Sequence, residues 1–495
     1  IYVDSTGDLY IADTNNNRVR KVAFHTIHGT ESDEMIFSEE NGLGHIMSRL
    51  GHHQKTIDLD TGAVLRKFEY DEDNTLISIS DRFERQINIE RDANGVPTAI
   101  VSPDGIRTDL VIGVDNHLTQ IINADGSFYN FEYTSEGLMT AKIDPGGNRF
   151  DHIFDSQGRL TDSLDEEDGH WNYTRTVQGN GDILINVLTA EGNLTTYLDH
   201  TLSTGAYTST ITSPAGGQTF FTESADGLTT NKSLACGMNL EFLYDLDTEY
   251  QYKYVKQMSQ TTLSGLTRTI DFNKTYEDTN SDGIKDRIIQ TFDLNNKSLT
   301  IVNNVFQSER LIISPEGRQA TAVYDPDTLA TISNYVPGLE KTEYSFFISG
   351  RPDTIITGTR ETSFIYDENG FLSSITDPLN TTTTFTNDLM GRVTYIDRPD
   401  GSGIGYAYDE NGNMTVLTTQ LSVDHLFGYN RVNSNSLYTT PLSGSYSYEY
   451  DKDRRLVKKN FPSGKAIILN YDNPMDTDDK SRLWQIQTPE DNIDY

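Results

Sequence analysis

The sequence predicts an all-β fold assembled from two-stranded repeats of about 21 residues. Three observations carry that expectation. First, Asn74, Gly95, Asn116, Gly137 and Gly158 follow one another at a constant step of 21, and the step returns at Gly370, Gly391, Gly412, Asn433 and Arg454. Second, apolar or aromatic columns flank this marker at intervals of two. Six residues ahead stand Phe68, Ile89, Leu110, Phe131, Phe364, Phe385, Tyr406, Phe427 and Tyr448, with His152 the exception, and four ahead stand Tyr70, Tyr133, Tyr366, Tyr408, Tyr429 and Tyr450. An interval of two puts side chains on one face of a strand, whereas a helix needs three and four. Third, Asp104-Gly105, Asp125-Gly126 and Gly146-Gly147 form a second turn half a period later, again in steps of 21. Each unit is therefore two short strands and two turns.

The marker residues suit their place. Gly and Asn accept a positive φ cheaply, and Asp71, Asp155, Asp367 and Asp409 are placed to bond neighbouring backbone N–H groups. Arg454 breaks the pattern, because a positive φ strains a residue with a long side chain; a different turn is expected there.

The chain has 495 residues, more than one ordinary core holds, which agrees with an array. Its formal net charge is −35, so the surface repels nucleic-acid phosphate and anionic lipid. Cys236 is the single cysteine, excluding an internal disulfide, and is expected to be a buried thiol. No apolar run is long enough to cross a membrane. The chain starts with Ile1 and stops at Tyr495 inside a strand-like pattern, so it reads as part of a longer polypeptide.

Residues 1–22 differ from the rest. "IYVDSTGDLYIAD" gives two alternating strands joined at Gly7, followed by "NNNRVRKV". Residues 23–60 read as a connector, 61–165 as regular repeats, 166–345 as degenerate repeats with insertions, 346–475 as regular repeats again, and 476–495 as the start of further sheet.

The opening 22 residues resemble the end of an NHL-type β-propeller blade. Tyr366-Asp367-Glu368-Asn369-Gly370 and Tyr408-Asp409-Glu410-Asn411-Gly412 resemble YD repeats, the units of bacterial Rhs proteins, toxin-complex B and C components and the teneurins. A blade followed directly by such repeats is similar to the junction in teneurins and bacterial teneurin-like proteins. The resemblance implies a hollow shell, a long antiparallel sheet spiralling into a barrel with its tyrosine rows inward. In Rhs and toxin-complex members such a shell encloses a C-terminal toxic domain; in teneurins it serves adhesion, with the propeller docked on it. The self-cleavage segment that ends Rhs shells is not found in this sequence.

One loop suggests a metal. Asp278, Asn280, Asp282 and Asp286 stand at positions 1, 3, 5 and 9 around Gly283, and the Ile284 carbonyl supplies position 7. Oxygen ligands at that spacing suit a structural Ca2+; position 12 is Ile289, so the bidentate Glu of an EF-hand is missing. The competing reading is an acidic hairpin turn. His45, His52 and His53 read as scattered connector histidines rather than ligands. Asp165-Glu166-Glu167-Asp168 reads as a solvated turn rather than a paired-carboxylate centre. Gly401-Ser402-Gly403-Ile404-Gly405 fails the phosphate-loop pattern, and no nucleophile elbow occurs. The tyrosine rows read as the seam between repeats, with glycan contact confined to exposed loops.

The expectation is thus a non-enzymatic, extracellular or cell-surface shell segment. Its partners would be its own C-terminal domain as cargo and its own propeller, with no nucleic acid and no direct membrane insertion. The alternative is an adhesion module that binds a cell-surface protein or glycan, and the weakest reading is a β-solenoid carbohydrate enzyme.

Overall fold

A computed structural model describes residues 2–3, 9–13, 18–22, 35–442, 444–472, 481–490 and 492–494. Among the described residues every regular element is a β-strand. Tyr2–Val3, Leu9–Asp13 and Arg18–Val22 make a three-stranded antiparallel sheet where the blade remnant is expected. All later strands, from Met35–Ser38 to Asn492–Asp494, belong to one other sheet.

One repeat shows how the sequence sets the hairpin. Phe128–Tyr133 pairs antiparallel with Met139–Ile143, with Asn130 opposite Ile143 and Glu132 opposite Ala141. Between Glu132 and Tyr133 the register slips, so Tyr133 faces Met139. Gly137 N–H closes a tight turn on the Thr134 carbonyl at 3.1 Å, and Thr134 N–H bonds the Leu138 carbonyl at 2.8 Å. Gly137 has φ 89°, which makes this a type I turn followed by a left-handed bulge residue. The half-period turns repeat the pattern, with Gly105, Gly126 and Gly147 at φ 84–86°.

The aspartates of the motif are turn ligands. One Asp155 carboxylate oxygen accepts Gln157 N–H at 2.8 Å and Arg159 N–H at 3.0 Å, and Asp367, Asp388, Asp409 and Asp451 each accept the same two amides. Asn430 does so with its amide oxygen, which explains how Asn replaces Asp.

Two compact units are present. Residues 1–88, 200–209 and 219–364 form the first, in which Ile46, Ile57, Leu59 and Tyr252 make a buried apolar cluster lined by Ile36, Val64, Tyr250 and Tyr254. Residues 89–199, 210–218 and 365–495 form the second. Among its described residues the buried apolar ones are Ala99 and Ala141, both inaccessible to solvent, so they form a sheet with two distinct faces rather than an apolar core. Cross-strand register puts Phe131, Lys142 and Phe150 on one face, and Glu132, Ala141 and Asp151 on the other.

Several expectations are corrected. The connector foreseen over 23–60 is already sheet from Met35, through Leu43–Met47 and His53–Asp58. Its turns at Gly42 and Gly51 have the repeat geometry, but the turn at Gly62 is one residue longer, Gly62 N–H bonding the Asp58 carbonyl and Asp58 N–H the Ala63 carbonyl, so the step of 21 is not kept. Arg454 adopts the same turn as its glycine counterparts, at φ 64°. Cys236 is exposed, because it sits one residue before the left-handed Gly237 at the tip of a hairpin turn. In 166–345 the period is lost because strands lengthen, Thr267–Glu277 reaching 11 residues, and because some turns change, those at Asp247–Tyr252 and Asp325–Ala330 being one residue longer than the repeat turn.

Candidate functional site

Three arrangements give the fold its working parts. The first is the tyrosine row. Tyr133, Tyr408, Tyr429 and Tyr450 donate their hydroxyls to the carbonyls of Leu118, Val393, Met414 and Asn435, each 15 residues earlier, at 2.8–2.9 Å. Each acceptor lies two residues past the preceding marker, beside the bulge that interrupts the ladder. Asn387, which occupies the tyrosine position in its repeat, reaches the Leu372 carbonyl in the same way at 2.9 Å. The residue after the marker adds a planar group: Arg392 lies 5.0 Å from the Tyr408 ring, Arg455 4.5 Å from Tyr471, and His117 stacks on Tyr133 at 4.9 Å.

Other rings on neighbouring strands stack on one another. Phe427 and Tyr438 stack at 5.2 Å and 20°, and Tyr438 and Tyr446 at 5.7 Å and 21°. Near-parallel planes at that separation are offset-stacked, so ring faces are spent on neighbouring repeats. This is packing; for the rows themselves, the hydroxyl bonds to the preceding repeat favour the repeat-joining reading over sugar stacking.

The second arrangement is a seam within the second unit, where half-period turns of an early run of hairpins meet marker turns of a later run. Arg392 reaches Asp125 at 3.1 Å; Asn411 donates to Asp144 at 2.9 Å and accepts Gly146 N–H at 2.8 Å. Glu167 accepts Arg431 N–H at 3.1 Å, and Glu166 pairs with the Arg431 guanidinium at 3.4 Å. Asp165 receives Arg454 through Nη2 at 2.6 Å and Nε at 3.1 Å. Asp453 accepts Thr189 and Asn193 at 2.6 Å each, and Glu191 accepts Lys452 N–H at 3.0 Å. Turns 260 to 289 residues apart are thereby knitted by polar contacts. Burial tends to raise the Asp125 pKa, but the Ser127 hydroxyl and amide and the Arg392 charge hold it below the ordinary carboxylate range.

The seam corrects the view of Asp165-Glu166-Glu167-Asp168 as a solvated turn. It is a turn, but the Asp165 side chain is only 1% exposed, and Glu167 and Gly169 N–H bond its carboxylate at 2.9 and 2.8 Å. Nothing next to Asp165 in the chain distinguishes this turn from a solvated one, because the partner is 289 residues away.

The third arrangement is a buried polar cluster in the first unit. Lys274 donates to Asp60 at 2.6 Å and to the Tyr252 hydroxyl at 3.1 Å, while Tyr276 donates to Asp247 at 2.7 Å. Asp247, 2% exposed, accepts Glu249 and Tyr250 N–H as well. Against burial, which alone lowers it, Asp60 and Tyr252 hold the Lys274 pKa above its ordinary value. Burial also pushes Tyr276 far up, keeping it a neutral donor.

The remaining candidates divide. His45 and His53 approach to 3.3 Å with Thr56 against both, whereas His52 stacks on Tyr70. Burial, then the nearby His45, lowers the His53 pKa. In the 278–286 loop the side chains turn to the loop's own backbone. Asp278 accepts Asp282 and Gly283 N–H, Asn280 accepts Asp282 N–H, Asp282 accepts Ile284 N–H, and the buried Asp286 accepts Thr279 N–H and hydroxyl. Among the described residues no three His, Cys, Asp or Glu side chains stand together as a metal group. No helix among them is long and apolar enough to cross a membrane.

The NHL repeat matches residues 1–22, and the Teneurin YD-shell matches residues 35–495. Mouse Teneurin-3 is 32% identical over 122 residues, and human Teneurin-4 28% over 120; these cover 23% and 24% of this chain and 4% of each relative. Among solved structures, TcdB2-TccC3 superposes with TM-score 0.45 at 11% identity, covering 89% of this chain and 29% of that one. The Photorhabdus luminescens Tc holotoxin pore gives 0.45 at 14%, covering 92% and 26%. The shell match takes in all but the first 34 residues, and by it this chain belongs to the teneurin YD-shell family.

Proposed function

We propose that this chain is a non-enzymatic wall segment of a large secreted or cell-surface polypeptide, and that the wall encloses or presents another part of that polypeptide. The observation that carries this reading is the seam: hairpins pair edge to edge along the sheet, and their turns then lock to turns of a later run. A wall closed in this way hides strand edges and backbone from proteases, which is what a container requires. The tyrosine hydroxyls support it by binding each repeat to the one before. Titratable groups shifted by burial in the first unit bond one another, which suits a structural role. The decisive experiment is limited proteolysis of the natural polypeptide. Protection of a segment that is cleaved at once when expressed alone supports enclosure; equal cleavage in both contexts sinks it and leaves adhesion, which binding to cells would then test.

The same reading assigns the Asp278–Asp286 loop a structural Ca2+, taken up at the expense of the amide bonds its side chains make. Asp278, Asn280, Asp282, Asp286 and the Ile284 carbonyl would supply the oxygens. A melting temperature raised by Ca2+, and no longer raised in Asp278→Asn with Asp282→Asn, supports it; an unchanged wild-type melting temperature removes it.

A further inference from the structure

At the hairpin that turns on Gly51, the repeat keeps its geometry and changes its chemistry. In the repeats of Asn74 and Gly412, the residues six before, two after and five after the left-handed turn residue share one face: Phe68, Leu76 and Ile79 in one, Tyr406, Met414 and Leu417 in the other. The extra residue of the bulge brings the second of them round to the side of the third. In the repeat of Gly51 the same three positions hold His45, His53 and Thr56, with Gln54 as the extra residue. Two imidazoles and a hydroxyl thus stand where other repeats pack apolar side chains.

Their polar atoms converge. His45 Nδ1 lies 3.3 Å from His53 Nε2, and Thr56 Oγ1 lies 3.4 Å from the first and 3.0 Å from the second. Each ring is also held from its far side. His45 Nε2, buried and outside any aligned hydrogen bond, has Glu39 Oε1 3.0 Å away. The His53 ring hydrogen-bonds the backbone at Lys55 and stacks on Phe68 at 4.1 Å. A neutral imidazole carries one ring proton. With those protons drawn to the outer partners, Nδ1 of His45 and Nε2 of His53 meet lone pair to lone pair, and the Thr56 hydroxyl has a single proton for both.

We propose that His45 Nδ1, His53 Nε2 and Thr56 Oγ1 form a site for one divalent ion of the Zn2+ class, with Glu39 as the carboxylate behind His45. Donors bound at about 2.0–2.1 Å with tetrahedral angles stand about 3.3 Å apart, which is the size of this triangle. Two imidazole nitrogens favour Zn2+, Cu2+ or Ni2+ over the hard Ca2+, and three protein ligands leave the fourth position to water. A carboxylate on the far nitrogen of a ligating histidine fixes its tautomer and orientation. Arg66, opposite Thr56 in the ladder, sets its charge near His53 and works against a cation. His52 takes no part, since its ring stacks on Tyr70. The ion would clamp Leu43–Met47 to His53–Asp58 and so be structural.

Zn2+ titrated into the whole chain against a chromophoric chelator tests this, with excess Ca2+ present to fill sites made of oxygen alone. One ion per chain is expected, held at least about tenfold more tightly than by His45→Phe or His53→Leu. Those variants write in residues that other repeats carry at the same positions, and an unchanged circular-dichroism spectrum confirms the fold. Glu39→Gln should weaken binding about tenfold with both imidazoles still in place, and Arg66→Gln should tighten it. X-ray absorption at the zinc edge of the wild type should show two imidazole ligands. Zn2+ held no more tightly by the wild type than by His45→Phe, or a zinc edge without imidazole, overturns the proposal and leaves the three side chains as a hydrogen-bonded cluster.

Discussion

Arg454 and Asp165, 289 residues apart in the chain, are joined by two hydrogen bonds from one guanidinium to a single carboxylate oxygen that solvent barely reaches. The arginine holds φ 64° to do so, and its guanidinium lies 5.2 Å from the Trp171 ring and 5.9 Å from Phe150. A left-handed arginine costs about 1 kcal/mol or more, and the tertiary contact offsets it. Arg454→Ala strands the Asp165 charge and is expected to destabilise by about 2 kcal/mol, since Asp165 keeps its two amide donors. Arg454→Gly relieves the backbone and should cost about 1 kcal/mol less. Urea unfolding with a cycle through Asp165→Asn checks this; a coupling near zero would show that the pair is ornamental.

The tyrosine row predicts a small and uniform effect from losing oxygen alone. Tyr429→Phe leaves the Met414 carbonyl without its 2.9 Å donor and should cost about 1 kcal/mol, whereas Tyr429→Ala also removes the ring and should cost about 3–4 kcal/mol. Because Asn387 makes the same bond, Tyr429→Asn should recover part of the difference from Ala. Thermal unfolding of the three variants decides. Equal losses for Phe and Ala would mean that the ring contributes nothing.

The hairpin was legible because its causes are local. The period, the alternation and the turn residues at Gly137 or Asn116 are set within a few positions of one another, and the structure places them accordingly. The seam was not legible, because nothing near Asp165 in sequence distinguishes a solvated acidic turn from one facing Arg454. The one local hint was the misfit of Arg454 itself: a residue that violates turn chemistry points to a tertiary contact that compensates. Cys236 shows the converse error, since a general preference for buried thiols yields to the turn tip that the neighbouring Gly237 dictates.

Turn aspartates predict the acid limit of stability. Backbone N–H groups, from Val96 and Asn94 at Asp92 and from Arg159 at Asp155, hold those carboxyls below the ordinary value, and the Thr381 hydroxyl and amide do the same for Asp377. A folded pKa below the unfolded one contributes stability that is present above the unfolded value, near 3.8, and is lost as pH falls through the folded value. Stability should therefore hold from neutrality to about pH 4 and fall below it. Replacing one such Asp by Asn should flatten the profile below pH 4 without altering the turn, as Asn430 shows. Denaturant midpoints between about pH 2 and pH 7 test it, and a loss of stability that begins well above pH 5 would point to other groups.

Lys274 sets the last test, because it is the cation that neutralises the buried cluster of the first unit. Its side chain is 11% exposed, Asp60 is 19% exposed, and both Tyr252 and Tyr276 present rings to the ammonium at 5.7 and 5.0 Å. Removing one partner of a buried pair leaves an uncompensated charge, so Lys274→Met should cost about 3 kcal/mol or more at neutral pH. The orphaned Asp60 would then take up a proton at a higher pH than before, since burial already raises its pKa and Lys274 is the nearby charge that opposes this. Consequently the variant should regain stability on mild acidification, and Lys274→Met with Asp60→Asn should regain most of it at pH 7. Unfolding midpoints of the two variants at neutral and mildly acidic pH decide the matter. If Lys274→Met matches wild type at neutral pH, the pair contributes nothing to holding the first unit together.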